Sequence, residues 1–271
     1  MLNIATAARA EPRLAPVSVS LVPRQAPALV DLENVSYRYG ESLVLDGVNL
    51  RIGSGEFVAL VGVSGCGKTT LLNLIAGLFP AAGGRIKVGG EPIAGPRPST
   101  GYMSARDSLM PWRRALDNVA FGLEVRGVPR AERENMARTW LKQVGLEGSE
   151  GKYRSQLSQG MRQRVAFART LAIDPDLVLL DEPFAALDAQ TKEILQPKFL
   201  QLWEGSGRTV VLVTHDISEA ISMADRVVVL SKGRVTHDLR VSLPRPRCIG
   251  ELVDVPEFRD LRRQVRDALH V

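Results

Sequence analysis

Phe57-Val58-Ala59-Leu60-Val61-Gly62-Val63-Ser64-Gly65-Cys66-Gly67-Lys68-Thr69-Thr70 is the stretch that decides the fold. Its first five residues are an apolar run with the texture of a strand buried on both faces. A glycine-rich turn follows, and then a helical segment from Thr69 to Leu78. Gly62 to Thr69 fits the spacing G-x-x-x-x-G-K-[ST] in the strand–loop–helix context that the pattern requires. Glycines let backbone N–H groups turn inward around phosphate oxygens, and the helix N-terminus adds its partial positive charge. The reading therefore places a phosphate cradle at Gly62, Ser64, Gly65, Cys66, Gly67, Lys68, Thr69 and Thr70. Lys68 is expected to bridge the β- and γ-phosphates, and Thr69 to offer its hydroxyl to Mg2+. Cys66 is expected to be a reactive thiol, since a neighbouring lysine and a helix N-terminus both favour thiolate.

Similar β-rich runs recur at Leu177 to Leu180, Val210 to Val213 and Val227 to Leu230, with helical stretches between them. Continuous apolar strands alternating with helices imply a parallel sheet covered on both faces. From about residue 113 to 172 the strand signal gives way to helical pattern (Ala115 to Val125, Arg130 to Val144, Ser158 to Ala172), which reads as a helical insertion. Residues 1–28 are rich in Ala, Pro and Arg and are expected to be a disordered tail without a secretory signal. Pro197 inside the helical stretch Ala189 to Trp203 predicts a kink costing about 3 kcal/mol. Phe258, Leu261, Val265 and Leu269 stand at helical spacing behind Pro256 and predict a C-terminal helix packed on the domain.

Composition narrows the function classes. The 271 residues carry 35 Lys+Arg against 30 Asp+Glu, and the net charge of +5 is spread without a like-charged block, so no nucleic-acid partner is expected. Two cysteines exclude a disulfide framework, and the apolar runs are too short for the ~20 residues of a membrane span. His237 and His270 have no partners at metal-ligand spacing.

The run Leu177-Val178-Leu179-Leu180-Asp181-Glu182 ends in two carboxylates. Asp181 at the end of the strand suits a magnesium site, and Glu182 suits a general base for an attacking water. Upstream, Leu157-Ser158-Gln159-Gly160-Met161-Arg162-Gln163-Arg164 resembles the signature sequence of the ATP-binding cassette (ABC) ATPases. Ala186-Leu187-Asp188 is similar to that family's D-loop, His215 in Val213-Thr214-His215-Asp216 to its switch histidine, and Tyr39 to its adenine-stacking aromatic. These motifs occur in the family's order, and the resemblance covers about residues 29 to 240.

The resemblance implies an α/β fold: a P-loop NTPase core with a mostly parallel sheet, an N-terminal antiparallel β subdomain and an inserted helical subdomain at about 101–172. The ATPase domain would span 29–245, with a helical extension over 246–271. It also implies ATP as substrate and a head-to-tail pair of ATPase subunits. Each ATP would lie between one phosphate loop and the partner's Ser158 and Gly160. Asp188 would border the nucleotide, Lys68, Glu182 and His215 would act on the γ-phosphate and its attacking water, and Thr69 and Asp181 would hold Mg2+. Ser158 alone also reads as an ordinary helix N-cap.

Departures from the pattern are Gln159 for a signature glycine, Met161 for its closing glutamine, and Ala105, where the family carries a glutamine. The separation of Lys68 from Ser158 fits a compact helical subdomain and leaves no room for a long coiled coil. Leu109-Met110-Pro111-Trp112-Arg113-Arg114-Ala115-Leu116-Asp117-Asn118-Val119 and Leu243-Pro244-Arg245-Pro246-Arg247 are similar to the nitrate, sulfonate and taurine importer group. That likeness implies separate transmembrane permease subunits, a solute-binding protein acting through them, and a place on the cytoplasmic membrane face. A non-transport ABC ATPase with a regulatory or mechanical role is the alternative.

Overall fold

The computed structural model describes residues 28–247 and 249–269. The expected N-terminal tail therefore lies outside the described residues, except for Ala28, which begins β1. β1 (Ala28–Tyr39) and β2 (Ser42–Gly53) pair antiparallel. β3 (Phe57–Val61) leads through the glycine-rich loop into α1 (Lys68–Ile75). β4 (Gly83–Val88) and β5 (Glu91–Pro92) return to β1, giving a four-stranded antiparallel sheet in the order β2-β1-β4-β5. β6 (Thr100–Met103) precedes α2 (Ala115–Val125), α3 (Arg130–Gln143), a 3-10 turn at Arg154–Gln156 and α4 (Gln159–Ala172). Then come β7 (Leu177–Asp181), α5 (Ala189–Trp203), β8 (Thr209–Val213), α6 (Ile217–Met223), β9 (Arg226–Ser231) and β10 (Arg234–Arg240). α7 (Ile249–Leu252) and α8 (Pro256–Leu269) follow.

The second sheet runs β10-β9-β3-β8-β7-β6, parallel except for β10. Its central strands β3, β7 and β8 are buried along their whole length because both faces are covered. Phe57, Ala59 and Val61 pack with Val178, Leu180, Val210 and Leu212 toward the helices of the insertion and α5, α6 and α8. Val58 and Leu60 pack with Leu177, Leu179, Val211 and Val213 toward α1 and the antiparallel sheet. Each such side chain contributes roughly 1.5–3 kcal/mol, so every parallel strand is pinned from both sides.

The structure moves one boundary. Residues 101–103, placed in the helical insertion by the sequence reading, belong to β6, whose Gly101 and Met103 pair with Val178 and Leu180 of β7. Four residues containing a glycine carry little strand signal of their own; the pairing supplies it. Pro197 is accommodated within α5. Its missing N–H leaves the carbonyl of Glu193 without the usual helical donor, and Glu193 is an exposed residue, open to solvent. At the C-terminal end of the chain, α8 buries Phe258, Val265 and Ala268 against the core. The Leu243 to Arg247 segment is tied to α6 by the buried guanidinium of Arg247. It donates to the carbonyls of Ile221, Ala224, Val241 and Leu243 at 2.6–3.2 Å. Burial, helped by the charge of Arg245, pushes this guanidinium down to about 10.

Candidate nucleotide site

The loop after β3 is shaped by close approaches. A side chain at Gly62 would run into the carbonyl oxygen of Leu230 at 2.4 Å and Cys66 Sγ at 2.5 Å. Gly67 sits at φ 107, a conformation that L side chains rarely adopt, and forms the N-cap of α1. No side chain caps that helix and no acid occupies its first turn. Its first N–H groups are thus available to an anion. Val63, Ser64 and Gly65 form the exposed crest of the loop, while Cys66, Gly67, Lys68 and Thr70 lie beneath it. Lys68 is 8% exposed, and its Nζ donates to the carbonyls of Gly62 at 2.8 Å and Val63 at 3.0 Å.

The thiol of Cys66 departs from the expectation of reactivity. It is turned into the loop, 3.9 Å from Lys68 Nζ, and the residue is buried. A labelling reagent reaches it only if the loop opens. Cys248 lies outside the described residues.

β7 delivers Asp181 to the same end of the sheet, paired with Val213 of β8. Asp181 Oδ2 accepts a 2.9 Å bond from the Thr69 hydroxyl. Burial raises its carboxyl above the ordinary range; the Thr69 bond opposes this, the charge of Glu182 adds to it, and that of Lys68 opposes it. Glu182 turns sharply off the strand at φ 50, a left-handed conformation that costs a non-glycine residue about 1–3 kcal/mol. Its N–H donates to the carbonyl of Val213 at 2.9 Å, and its own carbonyl accepts from the buried Gln163 Nε2 at 3.4 Å. These bonds aim the Glu182 side chain out of the sheet edge, where Oε1 lies 3.3 Å from Nδ1 of the exposed His215.

The His215 loop is fixed from below. Thr214 N–H donates to the carbonyl of Leu60 in β3, and Asp216 caps α6 by accepting from Ser218 and Glu219 N–H at 2.9 and 3.2 Å. Sequence reasoning missed the buried Glu219, although a carboxylate beside Ala220 and Ile221, one helical turn after His215, is a readable signal. It accepts from Gln196 Nε2 of α5 at 3.1 Å. Burial first, with the charge of Asp216 adding, pushes its carboxyl up to about 7 against bonding by Thr214 and the charges of Lys192 and His215.

Glu219 gives a pH prediction. With the folded value above the unfolded 4.5, its contribution to stability is complete below 4.5 and is lost as pH rises through about 7. Glu219→Gln removes that loss while keeping an acceptor for Gln196. The variant's unfolding free energy, from denaturant titration, is expected to gain on wild type between pH 5 and 8, by about 3 kcal/mol at most. Parallel pH curves for the two proteins would show that Glu219 does not titrate in this range.

The signature residues form a separate group. Ser158 caps α4, its Oγ accepting from Met161 N–H at 3.3 Å, and Gly160 lies in that helix's first turn. Asp188 caps α5 through Thr191, whose N–H and hydroxyl it accepts at 2.9 and 2.7 Å. Among the described residues, no hydrogen bond joins Ser158, Gly160 or Asp188 to the phosphate loop. Tyr39, 51% exposed at the end of β1, meets Tyr37 and Phe79 edge-on at centroid distances of 5.0 and 6.2 Å. The residues present fit a nucleotide and its metal: an uncapped helix start, a buried amine bonded to loop carbonyls, and a hydroxyl–carboxylate oxygen pair of the hard-donor type that Mg2+ takes.

A profile of the ABC transporter family matches residues 45–185. The chain is 47% identical over 227 residues to an uncharacterized ABC transporter ATP-binding protein of Methanocaldococcus jannaschii, covering 83% of this chain and 84% of that protein. It is 45% identical over 243 residues to the taurine import ATP-binding protein TauB of Shigella flexneri, covering 88% and 95%. Among solved structures, it resembles the dimeric post-hydrolysis state of the ATP-binding cassette MJ0796 bound to ADP and Pi. The TM-score is 0.72 at 34% identity, over 79% of this chain and 100% of that one. The cbiO1 subunit from Clostridium perfringens, part of the ABC transporter complex cbiONQ, gives a TM-score of 0.71 at 27% identity over 90% and 98%. With the phosphate loop, the acidic strand and the signature helix in the arrangement described, this chain is an ATP-binding ATPase of the ABC transporter family.

Proposed function

We propose that the chain powers import of a small solute of the nitrate, sulfonate or taurine type through a separate membrane permease, working as a head-to-tail pair. The observation that carries this reading is the split site. Lys68, the Thr69–Asp181 pair and the Glu182–His215 pair stand at one sheet edge, while Ser158 and Gly160 open a different helix. A second copy would bring its signature helix to the first copy's phosphate loop and complete both sites. The similarity to taurine import proteins supports the transport direction and solute class. Among the described residues, no helix is long and apolar enough to cross a membrane, so the permease would be a separate subunit. It would hold the ATPase at the cytoplasmic face, with a solute-binding protein delivering cargo from the other side.

In this reading the α1 amides and Lys68 bind the β- and γ-phosphates, with Ser64, Gly65, Cys66, Gly67 and Thr70 shaping the cradle and Tyr39 against the base. Thr69 and Asp181 would hold Mg2+, which when bound neutralises phosphate charge and orients the triphosphate. Glu182 accepts a proton from water as its oxygen attacks the γ-phosphorus. The bond to the β–γ bridging oxygen breaks, leaving ADP and inorganic phosphate. His215 orients the Glu182 carboxylate, and Ser158, Gly160 and Asp188 close the partner's site.

Reconstitution with the permease in liposomes tests the proposal. ATP-dependent uptake of taurine, another sulfonate or nitrate is expected, with hydrolysis stimulated by the loaded binding protein. Hydrolysis indifferent to every permease and solute would point to a non-transport ATPase.

A further inference from the structure

The loop after β6 leaves the sheet beside the site, because Met103 pairs with Leu180, the residue before Asp181. The loop is knitted to itself. Ser104 Oγ donates to the carbonyl of Arg106 at 2.7 Å and lies 2.9 Å from the Ser108 hydroxyl, and Asp107 Oδ1 accepts from Leu109 N–H at 3.1 Å. Its crest, Ala105 and Arg106, is exposed, and a methyl group at Ala105 has nothing to donate or accept.

What the loop does grip is the signature segment. Arg154 meets the Asp107 carboxylate with both arms, Nε to Oδ1 at 3.0 Å and a terminal nitrogen to Oδ2 at 3.2 Å. Asp107 is largely covered, its side chain 12% exposed. Burial would raise its carboxyl, but the bonds from Arg154 and Leu109 N–H, with the charges of Arg154 and Arg162, hold it below the usual range. Arg154 opens the short 3-10 turn that runs into Leu157 and Ser158. It is braced in turn by Arg162 of α4, whose Nε donates to the carbonyls of Arg154 and Leu157 at 2.9 and 3.0 Å. Near the far end of α4, Arg169 donates to the carbonyls of Ser108 and Asp107 at 2.9 and 3.1 Å. The loop is therefore fastened to α4 near its C-terminal end and to the turn that leads into its N-terminus.

We propose that Asp107 and Arg154 are a positioning pair, locking the loop at the catalytic sheet edge to the segment that presents Ser158 to the partner's nucleotide. A bidentate carboxylate–guanidinium contact fixes orientation as well as distance. Movement of the loop is then movement of the signature helix, with no contribution required from residue 105. The inference rests on the reading that Ser158 faces the partner's ATP.

The test compares Asp107→Asn, Arg154→Gln, Arg154→Lys and the exchange Asp107→Arg with Arg154→Asp in the full chain. Three quantities are read: binding of a fluorescent ATP analogue to the monomer, ATP-driven dimerisation in a Glu182→Gln background, and kcat. Asp107→Asn and Arg154→Gln are expected to leave monomer binding unchanged and to weaken dimerisation and kcat about tenfold, the scale of one charge-assisted contact. Arg154→Lys, with the charge but not the fork, should fall between. The exchange should recover dimerisation to within about threefold of wild type, the remainder reflecting imperfect geometry. Recovery by the exchange supports the pair even if a single variant fails to fold. A folded exchange variant that stays impaired overturns it, as do single variants that dimerise and turn over normally. Ser158→Arg separates the two readings. If it also dimerises and turns over normally, the partner-facing signature fails; if it blocks dimerisation while Asp107→Asn does nothing, only the positioning pair fails.

Discussion

Glu182→Gln is expected to bind MgATP with wild-type affinity and to hydrolyse it about 10²–10⁴-fold more slowly, the range that a positioned general base contributes. The contacts that hold the turn are made by its backbone: the N–H donates to Val213, and the carbonyl accepts from Gln163 and from Ala185 N–H. Glutamine keeps that backbone and bears the same left-handed conformation, so the turn should survive. The lost property is the capacity of the carboxylate to take a proton from water while His215 Nδ1, 3.3 Å away, holds it in orientation. Binding should be spared because the amine of Lys68 and the α1 amides belong to a different segment. Single-turnover hydrolysis and ATP-dependent dimer formation, measured together, check the assignment: the variant should accumulate as an ATP-bound dimer. Turnover at the wild-type rate would move the base elsewhere, with His215 the first residue to examine.

The site divides into what local sequence can announce and what only folding assembles. Lys68, Asp181 and His215 each follow an apolar run that becomes a strand of one sheet, so their convergence could be read from strand–loop punctuation. α2 coincides with the helical pattern of Ala115 to Val125 for the same reason, an apolar stripe of adequate length. β6 escaped because Thr100 to Met103 is short and depends on β7 for its identity. The inward turn of the Cys66 thiol escaped because the residue joins a buried cluster that includes Leu45 of β2 and Val228 and Leu230 of β9, distant in the chain. Gln196 with Glu219, and Asp107 with Arg154, are pairs between segments with no mutual spacing rule. Polar residues at such positions look like surface until the helices pack. The resemblance named Ala105 as a departure, and the structure shows what its loop holds instead.

Lys68→Ala is expected to lose nucleotide affinity by about 100-fold or more. A hydrogen bond to a charged group contributes about 1.5–3 kcal/mol, and the amine is expected to reach two phosphates. Lysine also has a second role that the measurement must separate from the first. Its Nζ donates to the carbonyls of Gly62 and Val63, bridging the start of the loop to the helix that follows. Alanine leaves both carbonyls without that donor, and water entering the vacated space would restore only part of the bonding. Two readouts distinguish the roles. A phosphate ligand predicts a large fall in affinity for ATP with little change in the melting temperature of the nucleotide-free protein. A structural plug predicts a lowered melting temperature with affinity nearly kept once the loop is folded. Lys68→Arg sharpens the comparison, because it keeps the charge but brings a planar fork into a space where Cys66 Sγ already lies 3.9 Å from the amine. If affinity follows charge alone, Lys68→Arg should bind nearly as wild type. If it follows the fit of a compact ammonium under the loop, Lys68→Arg should fail along with Lys68→Ala, and the burial of Lys68 favours that second outcome.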